Sequence, residues 1–201
     1  MTHALPAGPQ PAPRRQLLVG TGAVVAAGAL LIGGMLSIWL RFRDAAPLRA
    51  SSDGLKQIKD WLPKDIAMAE VLTNVGLATV GIACVMAQWA AYSSRRRDSR
   101  HTSMALGMTL LMGVALVNAL VAVYPEMEIV LAEGAYQTMF YAITGTLIAL
   151  IAGGMGFTLA ALFKSSGGRA ANTDLMNAHA LYWYFLAAAY TAVWFVVFVQ
   201  K

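Results

Sequence analysis

The chain has 201 residues, of which 58% are hydrophobic and only 12% charged, and its formal net charge is +5. A soluble domain carries roughly 25% charged residues, so too few polar side chains remain here to cover a water-facing globule. The mean hydropathy of +0.59 agrees, and lipid is the expected solvent for most of the surface.

The positive balance does not point to nucleic acid. The basic residues cover no face; they fall in flanks and connecting segments, at Arg14 and Arg15, Arg41 to Lys64, Arg95 to Arg100, then Lys164 and Arg169. In a membrane protein that placement sets orientation and meets anionic headgroups. The one cysteine, Cys84, lies inside an apolar run, where a small packing role is expected.

In chain order, residues 1–15 are rich in Pro, Ala and Gly and lack any period, which predicts a disordered aqueous tail. The apolar run 16–40 that follows is too long for the core of an export signal and long enough to span about 30 Å of hydrocarbon. Four further spans are predicted at about 66–92, 103–124, 136–163 and 178–200, with Glu70 the only formal charge inside any of them. Helices are expected because each backbone amide must be satisfied without water. The fold class is therefore all-α, an integral membrane bundle of five transmembrane helices.

The longest connection, 41–65, contains SSDGLKQIKDWLP. This stretch reads as a short amphipathic surface helix over about 51–62, capped by Ser52 or Asp53 and ended by Pro63. Trp39, Trp61, Trp89, Tyr92, Tyr124, Tyr136, Phe163 and Trp194 mark span ends, as interfacial aromatics do. The short RRRDSR turn and the acidic, base-free YPEMEIVLAEG connection place the N-terminus in the cytoplasm and the C-terminus outside.

Membrane catalysis or transport needs ligands and titratable groups inside the spans, where they are costly and conspicuous. The three histidines are His3 in the tail, His101 at the start of span three and His179 at the start of span five. The last two read as interfacial residues bonded to water or backbone, and no deep pair suited to a haem appears. The eleven methionines form no M-x-x-M cluster. Glu70, Asn74 and Asn118, with Thr144 and Thr146, are the material from which a polar path would be built. Interhelical hydrogen bonding is the expected role. No catalytic, cofactor-binding or metal residue is assigned, and no enzymatic activity is expected of the chain.

The clearest positive pattern is in span four. Gly145, Ala149 and Gly153 recur every four residues, and Ala152, Gly156 and Ala160 repeat that spacing on an adjacent stripe. Small residues so spaced let helix backbones approach closely. Gly145, Ala149, Gly153 and Gly156, with Tyr182 and Trp183 in span five, are the candidate helix-packing or lipid-contact residues.

AYQTMFYAITGTLIALIAGG in span four and ALYWYFLAAAYTAVWFVVFV in span five resemble the subunit III family of haem-copper oxidases (cytochrome c oxidase). That family carries a Phe-Tyr-x-x-Thr-Gly run followed by a glycine pair, matched here by Phe140, Tyr141, Thr144, Gly145, Gly153 and Gly154. Its final helix opens Tyr-Trp-His-Phe, matched by Tyr182, Trp183 and Phe185. CVMAQWAAYSSRRRDSR and GGMLSIWLRFRDA look like its second-to-third hairpin and the end of its first helix. The similarity covers roughly residues 28–200 and suits the five-helix bacterial form.

The family's buried polar residues are replaced. Leu147 and Leu150 stand for its two histidines, Tyr184 for the final-helix histidine, Ala187 for the following aspartate and Gly28 for the first-helix glutamate. The resemblance thus implies a divergent, non-catalytic accessory subunit of an aa3-type oxidase in a bacterial plasma membrane. Haem a and copper would reside in the partner catalytic subunit, other respiratory-complex subunits would be neighbours, and phospholipid would occupy a cleft between the first two helices and the last three. The competing readings are a small independent transporter or channel and the accessory subunit of a nitric oxide reductase.

Overall fold

The computed structural model describes residues 15–50, 57–63, 66–131, 134–166 and 172–200. The expected tail and the proposed caps Ser52 and Asp53 lie outside them. Five helices are long and apolar enough to cross a membrane, so the chain is an all-helical, multi-pass membrane protein. They are α1 (Gln16–Ala45), α2 (Glu70–Arg95), α3 (Ser99–Glu126), α4 (Ala135–Ser166) and α5 (Thr173–Val193), the last continued by a π-helical segment, Trp194–Val199.

Caps explain where the observed ends differ from the expected ones. α3 begins four residues early because Asp98 accepts a hydrogen bond from the His101 backbone N–H at 3.0 Å. α5 begins five residues early because the Asn172 side chain accepts from the Asp174 N–H at 3.0 Å. α2 closes on the basic turn, where Asp98 N–H reaches back to Ser93 O at 3.1 Å and Arg97 takes a left-handed φ of 59°. At the other end of α2, Glu70 is the first helical residue, so its carboxylate sits at the positive end of the helix dipole.

The surface helix expected at 51–62 is not formed at its described end. Gln57–Lys59 is a strand (β2), paired antiparallel with Leu48–Ala50 (β1) in the register Leu48 to Lys59. Leu55, Ile58 and Leu62 have helical spacing, but polar anchors fix the hairpin instead. Asp60 N–H donates to Pro47 O at 2.8 Å, Arg49 pairs with Asp60 at 2.7 Å, and Arg49 also donates to Leu62 O at 3.1 Å.

α5 is the central helix. Half of its most apolar stretch is buried, against a third or less in the other four. It packs on α1, α2 and α4, while α2 also packs on α3 and α3 on α4. Gly28 of α1 admits the ring of Phe185 so closely that an added methyl would collide with it. The arrangement implied by the resemblance, with the first two helices set off by a cleft, is not what is observed: α2 lies directly on α3 and α5, and α1 rests on α5 and α4.

Several expected interfacial aromatics are internal. Trp39 and Tyr136 are buried, and with Trp61 they form a cluster with ring centroids 5.1–5.6 Å apart where α1, the hairpin and α4 meet. Tyr92 and Phe163 are exposed.

Candidate functional site

The polar residues of the bundle concentrate on the seam between α2 and α5, which run antiparallel. At one end, Arg95 donates to Asn177 Oδ1 at 2.9 Å. Midway, Tyr184 Oη donates to Gln88 Oε1 at 3.0 Å, and at the far end the Trp194 indole donates to Asn74 Oδ1 at 2.9 Å. Deeper in the same seam, Cys84 Sγ lies 3.2 Å from Trp183 O and Tyr190 Oη donates to Thr73 O at 3.0 Å. The partners run in opposite order along the two helices, so the seam is a ladder that fixes helix register. Side-chain bonds of this kind are worth roughly 0.6 kcal/mol each on average between membrane helices.

Behind this ladder is a buried cluster of α4 and α5. His179 is fully buried, and so are Thr158 and Trp183. His179 Nε2 lies 2.9 Å from Thr158 Oγ1, the Trp183 indole nitrogen lies 3.1 Å from that same oxygen, and Thr158 Oγ1 lies 2.8 Å from Gly154 O. The Trp183 indole N–H also donates to His179 Nε2 at 3.1 Å, so Thr158, His179 and Trp183 close into a triangle of polar contacts with Gly154 O at one corner. The buried His179 Nδ1 has no partner among the described residues. The expectation that His179 is an interfacial histidine is therefore corrected. His101 does sit exposed at the start of α3, against Asp98 at 2.6 Å.

The cluster escaped the sequence reading, although its signal was present. His179 and Trp183 are four apart on α5, which puts them on one face. Nothing in the local sequence of α4 marks Thr158 as their partner.

The small residues of α4 face outward. Ala149, Ala152, Gly153, Gly156 and Ala160 are exposed, and open space surrounds the position of a side chain at Gly145 and Gly156. They bring no second helix of this chain into close approach, apart from Tyr182 near Gly153. Tyr182 donates to Leu150 O at 3.0 Å and lines an apolar cavity of about 420 Å³ between α1, α4 and α5, with Leu17, Val24 and Phe157. Trp183 belongs to the buried cluster.

Of the residues of the possible polar path, Glu70 and Asn74 line one cavity of about 250 Å³ with Thr73 and Trp194, while Thr144 and Asn118 lie outside it. Asn74 is held by Trp194, and Thr144 bonds to Phe140 O at 2.7 Å and Tyr124 Oη at 2.9 Å. Asn118 is exposed on the outer side of α3, without a hydrogen bond to any described residue. Among the described residues, no three His, Cys, Asp or Glu side chains gather as metal ligands. No protein-family model matches this chain, and no curated protein matches it.

Proposed function

We propose that this chain is a non-catalytic, subunit-III-like accessory subunit of an aa3-type haem-copper oxidase in a bacterial plasma membrane, with its N-terminus cytoplasmic. The catalytic subunit would hold haem a and copper, and this chain would pack beside it and stabilise it. The resemblance of its fourth and fifth spans to that family supports the identity of the complex. One structural observation supports the docking role: Asn118 points outward roughly two turns inside the end of α3. An amide facing hydrocarbon is costly, and a polar group on a neighbouring helix removes that cost. The outward small residues of α4 offer a second surface on which another helix could lie close.

Purification from native membranes in mild detergent tests the reading. The expected result is co-purification with a larger subunit and a haem a absorbance spectrum. A spectrum of only b- and c-type haems would move the chain to a nitric oxide reductase. Recovery of the chain alone, with no haem-bearing partner, would overturn the accessory role.

A further inference from the structure

We propose that the cavity between the end of α1, the β-hairpin and the end of α5 binds the phosphodiester headgroup of an anionic phospholipid. The inference does not depend on which complex the chain joins.

The cavity has a volume of about 680 Å³, and three cations, Arg43, Arg49 and Lys59, line it against one carboxylate, Asp44. The charges are not equally committed. Arg49 is paired with Asp60 at 2.7 Å, and Lys59 contacts Asp44 through its backbone oxygen and, at 3.4 Å, its carboxylate. Arg43 instead donates to the neutral backbone oxygen of Gln200 at 2.7 Å, and no described carboxylate pairs with it. Its guanidinium is held in place by neutral oxygens of Gln200, and among the described residues no carboxylate compensates its charge, a suitable state for a planar donor that must meet a phosphate.

The remaining wall is mostly apolar, formed by Ile58, Trp61, Leu62 and Val199, with Gln200 beside Arg43. Val199 is 45% exposed and Phe195, one turn deeper on α5, is 47% exposed, so an apolar strip continues from the cavity along the lipid-facing side of the bundle. Position decides between ligand classes. A free phosphate would use the cations and leave the apolar wall idle, whereas a phospholipid uses both, with its headgroup at the interface and its chains along α5.

Native mass spectrometry of the full chain in mild detergent tests this, with dioleoyl phosphatidylglycerol, dioleoyl phosphatidylcholine and inorganic phosphate as probes. Phosphatidylglycerol should be retained in preference to phosphatidylcholine, and millimolar phosphate should not displace it. Arg43→Gln should lower retention roughly fivefold, near the effect of one basic residue at an anionic surface. Lys59→Gln, on an exposed strand, should act in the same direction and serves where Arg43→Gln fails to fold. Arg97→Gln, in the turn at the opposite end of the bundle, should change nothing. Equal retention of the two lipids, or unchanged retention in both cavity variants, would overturn the proposal. Displacement by phosphate would also overturn it, by making the cavity a small-anion site.

Discussion

Tyr190 of α5 lies across the backbone of Gly76 in α2 and donates to Thr73 O at 3.0 Å. A methyl built on Gly76 would run into the phenol oxygen and ring carbon of Tyr190. The ring is buried and its hydroxyl is bonded, so it cannot swing aside without giving up that bond. The expected cost of Gly76→Ala is about 1–3 kcal/mol, the usual penalty for overpacking a tight core. Gly81 on the same helix is exposed with nothing near its missing side chain. Gly81→Ala should therefore be neutral or stabilising by up to about 1 kcal/mol. Thermal unfolding in detergent, followed by tryptophan fluorescence, checks the pair, and equal effects would contradict the packing described here.

Thr158 touches both His179 and Trp183 in the buried cluster, so it should be its most sensitive member. Thr158→Val keeps the shape but removes the hydroxyl that both His179 Nε2 and the Trp183 N–H contact. A loss of about 1–3 kcal/mol is expected. His179→Phe removes one partner of Trp183 and leaves the Trp183 bond to Thr158 intact, so it should cost less. The double variant should cost clearly less than the two single losses combined, because both changes break the same bond. Strict additivity in equilibrium unfolding would mean that the three groups do not act as a network.

The five spans were legible because each is a continuous apolar run longer than a bilayer requires, and no tertiary contact is needed to see that. Helix starts were less legible. Polar Thr173, Asp174 and Asn177 interrupt the apolar run before Ala178, yet Asn172 caps a helix there whose first turn stands outside the apolar stretch. The hairpin at Leu48–Lys59 was hidden because its stability comes from Arg49 reaching Asp60 and Leu62, a pairing invisible to periodicity. The same reason hid the α2–α5 ladder: Gln88 and Tyr184 are far apart in sequence, and each alone reads as an ordinary interfacial polar residue. The small residues of α4 were visible as a stripe, but spacing carries no information about which way a stripe faces.

The basic turn provides a pH test. The His101 backbone N–H, and after it the His101 side chain, hold the Asp98 carboxyl below the ordinary carboxylate value of 3.8. A carboxyl lowered in the folded state stabilises fully above its unfolded value, and the contribution is lost as pH falls through the lowered folded value. Stability at neutral pH should thus be insensitive to this group and should decline only below about pH 4. Asp98→Asn retains a good N-cap but removes the charge, so this part of the acid decline should disappear. Asp98→Ala should lower stability across the whole range. Unfolding midpoints of the three proteins over a pH series decide the matter, and identical acid limbs in wild type and Asp98→Asn would show that the cap carboxylate does not titrate as described.

Asn118 separates a docking surface from a lipid-facing one. In a helix bathed only by lipid, replacing an exposed amide with leucine removes an unfavourable polar group, and the isolated chain should be unchanged or more stable. Where a neighbouring helix bonds to the amide, the same change should weaken association by about 1 kcal/mol, or roughly fivefold. The proposed accessory role requires both outcomes together: an isolated Asn118→Leu chain that unfolds no earlier than wild type, and a smaller fraction recovered with the haem-bearing partner. Asn118→Gln, which keeps the amide, should recover part of that association. Undiminished recovery of partner by Asn118→Leu would remove this face of α3 from the interface and leave the outward side of α4 as the surface to probe next, starting with Gly156→Leu.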